Sequence, residues 1–156
     1  MKKNLVPIFL LLIFSLSACD TQPDVTVKKT ADVQEIINAD KAFSDMSRQL
    51  GMKKAFIQYI GKEGALLRPG HMPIVGADAI DFLTQINDTA YTISWVPSNG
   101  DIASSGDIGY TYGMYTLVTA DTTLKGTYVS IWKKQTDGDW KFVLDSGNEG
   151  VESNPR

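Results

Sequence analysis

The chain has 156 residues, of which 43% are hydrophobic and 21% charged, with a formal net charge of −3 at pH 7. This length and composition fit one globular domain with a single core. The lysines and arginines are few and scattered, which argues against nucleic-acid binding. The only cysteine, Cys19, excludes an intramolecular disulfide and a cysteine-based zinc site, and the only histidine, His71, excludes a three-histidine metal site. We expect neither a metal nor a cofactor.

The first 19 residues have the order of a bacterial lipoprotein signal. Two lysines precede an apolar run over residues 5–14, and Leu16-Ser17-Ala18-Cys19 follows. This ending resembles the lipobox, in which the cysteine receives diacylglycerol and becomes the new N-terminus after cleavage. The apolar run is too short for a spanning helix. We therefore predict a signal peptide over residues 1–18 and lipidation of Cys19; an ordinary secretory signal is the alternative.

The segment after the cleavage site predicts a tether followed by one domain. Removal of residues 1–18 takes two lysines from the 15 basic residues and leaves 13 against 18 acidic ones, a net charge of −5. Residues 19–31 are polar and lack apolar periodicity, which is typical of a tether. Residues 32–150 form the predicted domain, and 151–156 a frayed tail. The expected location is the cell envelope, where lipid anchors the chain on the periplasmic or outer side of a bacterial membrane.

Three helices are predicted before the main run of strands. Apolar side chains recur at helical spacing over 32–50, after a capping-box-like start, and again over 52–60. A third helical pattern covers 76–86, with acidic residues near its start, where the helix dipole favours them. Short extended segments at 65–68 and 73–75 lie between the second and third helices.

From residue 91 onward the apolar period changes to two. Alternating segments are separated by turn-forming residues at 104–106, 120–123 and 137–138. This pattern predicts four long antiparallel strands in a meander. Helices that precede a run of antiparallel strands define an α+β domain. Large side chains occur on both faces of these strands, so the outer face of the sheet is a candidate surface for a homodimer.

Three segments carry a resemblance to a known superfamily: ADKAFS at 39–44, GDIGY at 106–110 and WKKQTDGDWK at 132–141. With the order of elements, they resemble the nuclear transport factor 2-like superfamily over about residues 32–148, and within it the SnoaL-like and DUF4440-type bacterial proteins. The resemblance implies a cone-shaped fold, in which a strongly curved antiparallel sheet wraps around three helices and leaves an apolar pocket at its open end. Members include ketosteroid isomerase, polyketide cyclases, dehydratases and domains that only bind.

The site of the isomerase members is not reproduced in this chain. Those enzymes have an aspartate as general base just before a proline, where this chain has Arg68 before Pro69. An arginine cannot act as a base, because its guanidinium stays protonated. The tyrosine that donates to the oxyanion falls near Ser44, whose side chain is too short for that role. The resemblance therefore does not imply steroid isomerisation by the known mechanism.

Asp40 and His71 are the candidate acid and base. Asp40 lies on or beside the apolar stripe of the first helix, and buried carboxylates often have perturbed pKa values. A salt bridge, with Arg68 as the natural partner, is its alternative role. His71 lies in the loop at the expected pocket mouth, where an imidazole can act as a base or a hydrogen-bond donor. The alternative for His71 is an exposed loop side chain.

The candidate ligand contacts are two ionisable residues and three aromatic ones. Arg68 suits an anionic group, because its fork donates two parallel hydrogen bonds, or it is a surface charge. Asp145 lies on the last strand and is either a contact at the mouth or a turn residue. Trp95, Tyr112 and Trp132 are the aromatic side chains predicted to line the pocket. Strand register decides which of them do, and the sequence does not fix it.

Three functions agree with these features. The first is an envelope-anchored domain that binds a small apolar or amphipathic molecule in the cone. The second is a cofactor-independent SnoaL-like cyclase, dehydratase or isomerase that uses Asp40 and His71. The third is a protein-interaction module that dimerises through its sheet. The contents of the cone, and the polar groups that point into it, distinguish the three.

Overall fold

The computed structural model describes residues 32–151, in which three helices pack on one six-stranded sheet. The helices are α1 (Val33–Leu50), α2 (Met52–Tyr59) and α3 (Ala77–Gln85). The strands are β1 (Ile60–Leu67), β2 (Ile74–Val75), β3 (Tyr91–Ile102), β4 (Ile108–Thr119), β5 (Thr123–Lys134) and β6 (Trp140–Glu149). The predicted α+β class, with helices before four long strands, is confirmed. The predicted signal peptide, the lipidated Cys19, the tether and residues 152–156 lie outside the described residues.

Local signals set both ends of α1. The Asp32 side chain caps the helix, because its Oδ1 accepts a hydrogen bond from the Gln34 backbone N–H at 2.9 Å. The helix ends at Gly51, which has a φ of 90° that favours glycine. A Cβ at this position would also lie 2.7 Å from Asp88 Oδ2. Gly51 therefore allows α2 to begin at the next residue.

The sheet has the order β2-β1-β6-β5-β4-β3. The four long strands form the predicted antiparallel meander, and β2 is antiparallel to β1. The whole sheet is mixed, however, since β1 runs parallel to β6 and Leu66 lies opposite Asp145. The register shifts in β3 at Pro97–Asn99, and again between β5 and β6, where Val143 of β6 is the extra residue opposite Ile131–Trp132. Such bulges bend strands, in keeping with the curvature of this sheet around the helices.

Helix α1 covers the free edge of the sheet at β3. The Ser44 hydroxyl donates to the Trp95 carbonyl at 2.7 Å and accepts from the Trp95 backbone N–H at 2.8 Å. The Ser47 hydroxyl donates to the Ile93 carbonyl at 2.7 Å. These two serines satisfy backbone groups that an edge strand would otherwise leave unpaired.

Aromatic side chains fill the space between α1 and the sheet. The Phe43 ring lies at the centre, with centroid distances of 4.5 Å to Trp95, 4.7 Å to Phe56 and 5.5 Å to Phe142. Trp132 is fully buried beside them. Several of these pairs meet edge to face, the geometry that ring quadrupoles favour.

One end of the cone is closed by contacts between the start of α1 and the β5–β6 hairpin. Lys134 Nζ lies 2.6 Å from Glu35 Oε2, and Trp140 Nε1 donates to the same oxygen at 3.3 Å. At the other end of the strands, side chains leave a gap between the helices and the sheet. That gap is the candidate site.

The outer face of the sheet carries a row of exposed apolar side chains on β3 and β4. Val96 is 69% exposed, Tyr110 44%, Tyr112 46% and Met114 42%. The rings of Tyr110 and Tyr112 stack with their centroids 6.4 Å apart. A soluble monomer seldom leaves neighbouring large apolar side chains uncovered, so this face is a candidate contact surface.

A search for membrane-crossing helices among residues 32–151 found no segment with the necessary combination of length and apolar character.

Candidate functional site: a pocket at the open end of the cone

A pocket of about 170 Å³ opens between α2 and the inner face of the sheet. Its apolar lining consists of Met52, Phe56, Pro69, Ile93, Trp95, Tyr115, Leu117 and Tyr128. Arg68, Asp145, Ser146 and Glu149 add polar groups. The volume is close to that of a dry cavity that holds one benzene molecule, about 150 Å³. The pocket therefore has room for a single ring or a branched group of similar size.

Arg68 and Asp145 form an ion pair in the wall of the pocket. Arg68 Nη2 lies 2.6 Å from Asp145 Oδ1, and both side chains are largely buried, with exposures of 18% and 9%. Arg68 Nη1 donates to the carbonyls of Leu67 and Asp145 at 3.0 and 3.2 Å. The guanidinium also lies 5.5 Å from the Phe56 ring centroid. The fork of Arg68 is therefore already occupied by partners within the chain.

This pairing corrects the expected partnership between Arg68 and Asp40. Parallel pairing of β1 with β6 places Leu66 opposite Asp145, which brings Arg68 to that carboxylate. The second carboxylate oxygen of Asp145 accepts from the Ser130 hydroxyl at 2.8 Å. Both oxygens of Asp145 therefore have partners, as a buried carboxylate requires.

Asp40 lies behind the pocket wall and is fully buried. Its Oδ1 accepts from Trp95 Nε1 at 2.7 Å, and its Oδ2 accepts from the Tyr128 hydroxyl at 2.7 Å. Burial raises the pKa of Asp40 above its ordinary value, and these hydrogen bonds offset part of that shift. Burial, and then the neighbouring Asp40 carboxylate, raise the pKa of Tyr128. Asp40 thus fixes two aromatic side chains that face the pocket.

His71 lies outside the pocket. Its side chain is exposed on the loop after β1, and its ring packs edge to face on Phe82 with a centroid distance of 5.3 Å. Asp40, by contrast, is enclosed between α1 and the sheet. The two predicted acid–base residues share no cavity in the part of the chain that the structure describes, so they offer no acid–base arrangement across the pocket.

Of the three predicted aromatic contacts, the structure brings only Trp95 to the pocket. Tyr112 faces the outer side of the sheet, because it alternates with the inward-facing positions of β4. Trp132 lies in the core, where its Nε1 donates to Thr111 Oγ1 at 2.8 Å. The large side chains on both faces of β4 hid this difference from the sequence pattern.

Only Arg68, Trp95 and Asp145 of the pocket lining were predicted, and the residues that were missed include Tyr115, Tyr128 and Glu149. A glycine inside a strand was the available signal, since such a residue often marks a close approach. A Cβ on Gly126 would lie 2.4 Å from the Tyr115 ring. Gly126 therefore allows Tyr115 to lie across β5 and form part of the pocket wall.

Glu149 gives the pocket rim an acidic character. Burial, and then the nearby Glu149 carboxylate, raise the pKa of Tyr115 above its ordinary value. Among residues 32–151, no lysine or arginine lies within ion-pairing distance of Glu149.

No metal site is found in the part of the chain that the structure describes, because no three carboxylate, imidazole or thiol groups there lie close enough together to hold a metal ion.

Comparisons with known proteins identify the fold. No protein-family model matches the sequence, and no curated protein does. Among solved structures, a ketosteroid isomerase-like protein from Erwinia carotovora atroseptica is similar, with a TM-score of 0.63 and 14% identity over 77% of this chain and 97% of the other. An NTF2-like protein with a cystatin-like fold from Novosphingobium aromaticivorans has a TM-score of 0.58 and 13% identity over 73% and 79%.

A third similar structure is an NTF2-like protein of unknown function from Shewanella oneidensis, with a TM-score of 0.58 and 15% identity over 73% of this chain and 96% of the other. At these identities the likeness concerns the fold. The domain has the cone-shaped nuclear transport factor 2-like fold that the sequence predicted. This fold carries many unrelated activities, so the function has to be argued from the pocket itself.

Proposed function

We propose that this chain is a bacterial envelope lipoprotein whose domain binds a small apolar or amphipathic molecule in the cone. The pocket carries the proposal, because it combines apolar and aromatic walls with a few fixed polar groups, the usual composition of a ligand site. Within the superfamily, SnoaL-like and DUF4440-type proteins remain the predicted relatives. The ligand is small, since the cavity of about 170 Å³ accommodates roughly one ring.

The proposal is tested by ligand screening of the domain with two readouts. Compounds of one-ring size should raise the melting temperature, because a ligand that binds only the folded state stabilises it. They should also change tryptophan emission, since Trp95 lines the pocket, whereas Trp132 and Trp140 are buried away from it. In a Trp95→Phe variant, the emission change should largely disappear.

A variant that fills the pocket separates ligand binding from general stabilisation. Gly147 lines the pocket, and a Cβ there would lie 3.6 Å from the Tyr115 ring, an ordinary contact distance. Gly147→Val should therefore fold and lose binding. Asn148→Val is the matched control, since the neighbouring side chain is exposed and lies outside the pocket lining. A flat response to a broad panel, or full binding by Gly147→Val, would remove the support for this function.

The membrane anchor is proposed from the sequence signal that ends at Cys19. The fold adds a supporting feature, because α1 begins at the closed end of the cone beside Trp140. A tether that enters there leaves the pocket mouth at the opposite end, open to the aqueous side. Mass spectrometry should find diacylglycerol on Cys19 at the mature N-terminus. When residues 1–18 are replaced by an ordinary secretory signal that is cleaved without the cysteine, Cys19→Ser should release the protein from membrane fractions. A cleaved Cys19→Ser protein that stays with the membrane would contradict the anchor.

A second proposed role is homodimer formation through the outer face of the sheet. The exposed apolar row of Val96, Tyr110, Tyr112 and Met114 supports it. A second copy suits this face, because charges of both signs, such as Asp101 on β3 and Lys133 on β5, flank the row and permit a self-complementary two-fold contact.

Light scattering or sedimentation tests the dimer. The domain should have twice the monomer mass, and Tyr112→Lys combined with Met114→Lys should reduce it to the monomer mass, because buried charges without partners oppose association. Leu50→Lys is the control, since Leu50 is 51% exposed and lies on α1. A monomeric wild-type domain would exclude this role and leave ligand binding untouched.

A further inference from the structure

We infer that the pocket prefers a ligand whose buried end is a compact organic cation, such as a substituted ammonium group, over a neutral or anionic group of the same shape. This inference rests on the proposed function, because it requires that the pocket binds a ligand. It follows from two features of the described residues: the charge that remains after internal pairing, and the chemistry of the aromatic walls.

Internal pairing leaves the pocket with one negative charge. Arg68, Asp145 and Glu149 are its ionisable lining groups other than the tyrosines. Arg68 and Asp145 neutralise each other through the 2.6 Å ion pair. Glu149 has no cationic partner among residues 32–151 and lies beside Tyr115. A cationic ligand would supply the opposite charge that this rim lacks.

The pocket walls contain several aromatic rings. Phe56, Trp95, Tyr115 and Tyr128 all line the cavity. Ring faces carry negative potential, and aromatic walls hold quaternary ammonium groups in many proteins. Trp95 and Tyr128 both donate to the buried Asp40 carboxylate at 2.7 Å. Donation to a buried anion increases the electron density of both rings, which strengthens their attraction for a cation.

The same pocket disfavours an anionic ligand. It would have to compete with Asp145 for Arg68, whose Nη1 and Nη2 both donate within the chain. The displaced Asp145 would then be a largely buried carboxylate without its cation, which is strongly unfavourable. The anion would also lie close to Glu149. The ion pair therefore stabilises the pocket wall. It also keeps the Arg68 guanidinium bound within the chain, so that Arg68 does not serve as a receptor for an anionic ligand.

Three molecules of nearly the same shape test this preference. Choline is cationic, 3,3-dimethyl-1-butanol is its neutral counterpart, and 3,3-dimethylbutanoate keeps the neutral tert-butyl end of the alcohol but carries a negative charge at the other end. All three are small enough for a cavity of about 170 Å³. Titration followed by Trp95 emission and by NMR should give choline at least about a fivefold lower Kd than the alcohol, within the range of cation–aromatic attraction. The butanoate should bind more weakly than the alcohol.

A charge-neutral variant identifies the source of the preference. Glu149→Gln should weaken choline binding several-fold and leave the Kd of the alcohol unchanged. Glu63→Gln is the matched control, because Glu63 is an exposed glutamate on β1 that does not line the pocket. It should bind all three molecules as the wild type does.

The outcomes separate this inference from the proposed function. Equal or tighter binding of the alcohol or the butanoate overturns the cation preference and leaves a working pocket. A choline preference that persists fully in Glu149→Gln overturns the assigned role of the rim charge. Failure of all three probes, together with a flat response to the wider panel, removes the proposed function as well.

Discussion

The buried Asp40 carboxylate provides the sharpest test of the packing argument. Asp40→Ala would leave the Trp95 indole N–H and the Tyr128 hydroxyl without the acceptors that they now have at 2.7 Å. Each orphaned buried donor costs about 1–3 kcal/mol. Because the Tyr128 hydroxyl can turn towards the pocket, we expect Asp40→Ala to lower the free energy of unfolding by about 3 kcal/mol.

Asp40→Asn should behave differently at neutral pH. The Asn carbonyl can accept from Trp95, and its NH₂ can donate to the Tyr128 oxygen, so both partners stay satisfied. The substitution also removes a charge that burial disfavours, as the raised pKa of Asp40 shows. We therefore expect Asp40→Asn to change the free energy of unfolding at pH 7 by less than about 1 kcal/mol, in either direction.

The pH dependence has a definite sign. Because the folded-state pKa of Asp40 lies above its ordinary value, the folded state holds a proton that the unfolded state has lost at pH values between the two pKa values. Stability from this group is therefore greatest below the unfolded pKa and falls as the pH rises through the folded pKa. The slope is about 1.4 kcal/mol per pH unit for one proton. Asp40→Asn should lack this component.

Urea unfolding monitored by circular dichroism, across mildly acidic to neutral pH, measures both effects. The pH dependence of the free energy of unfolding that belongs to Asp40 is obtained by subtracting the Asp40→Asn profile from that of the wild type. The contributions of the other carboxylates cancel in this difference to a first approximation. If Asp40→Asn were as destabilised at pH 7 as Asp40→Ala, or if the two profiles ran parallel, the assigned hydrogen bonding and pKa direction would be wrong.

Three further predictions concern stability, and urea unfolding checks each of them. Asp145→Asn should lower the free energy of unfolding by about 2–3 kcal/mol, because it leaves the largely buried Arg68 without its counter-ion. An unchanged urea midpoint would show that the ion pair is not needed for stability. Gly51→Ala should lower the free energy of unfolding by about 1 kcal/mol more than Gly70→Ala does, since both glycines have positive φ but only Gly51 would place a Cβ 2.7 Å from Asp88. Equal losses of stability in the two variants would refute the contact. Trp132→Phe should cost about 1–3 kcal/mol, because it leaves a cavity and removes the bond to Thr111; a neutral result would contradict the close packing there.

The sequence predicted elements whose signals are local. The predicted first helix over 32–50 differs from the observed α1 only at its first residue, because a capping aspartate and Gly51 mark its ends. The β3–β6 meander was equally accessible, since turn residues separate stretches of period two. In both cases, the residues that decide the structure lie next to the element that they define.

The pocket was less predictable, because its geometry depends on distant pairing. Arg68 and Asp145 are 77 positions apart, and only the placement of β1 beside β6 brings them together. The facing of Tyr112 was ambiguous, since inner and outer positions of β4 both carry tyrosine. Local patterns could nominate the aromatic residues, but strand register decided which of them reached the pocket.

The inner side chains of the last two strands explain why the cone opens where it does. Towards the closed end, β5 and β6 present Trp132 and Phe142, both fully buried. Towards the open end, the inward positions include Gly126 on β5, against which the Tyr115 ring packs, and Gly147 on β6, which lines the pocket. Bulky residues therefore close one end, and Gly147 leaves room at the other. Enlarging Gly147 should fill the pocket while the closed-end core stays intact, so binding and stability can be separated in one molecule.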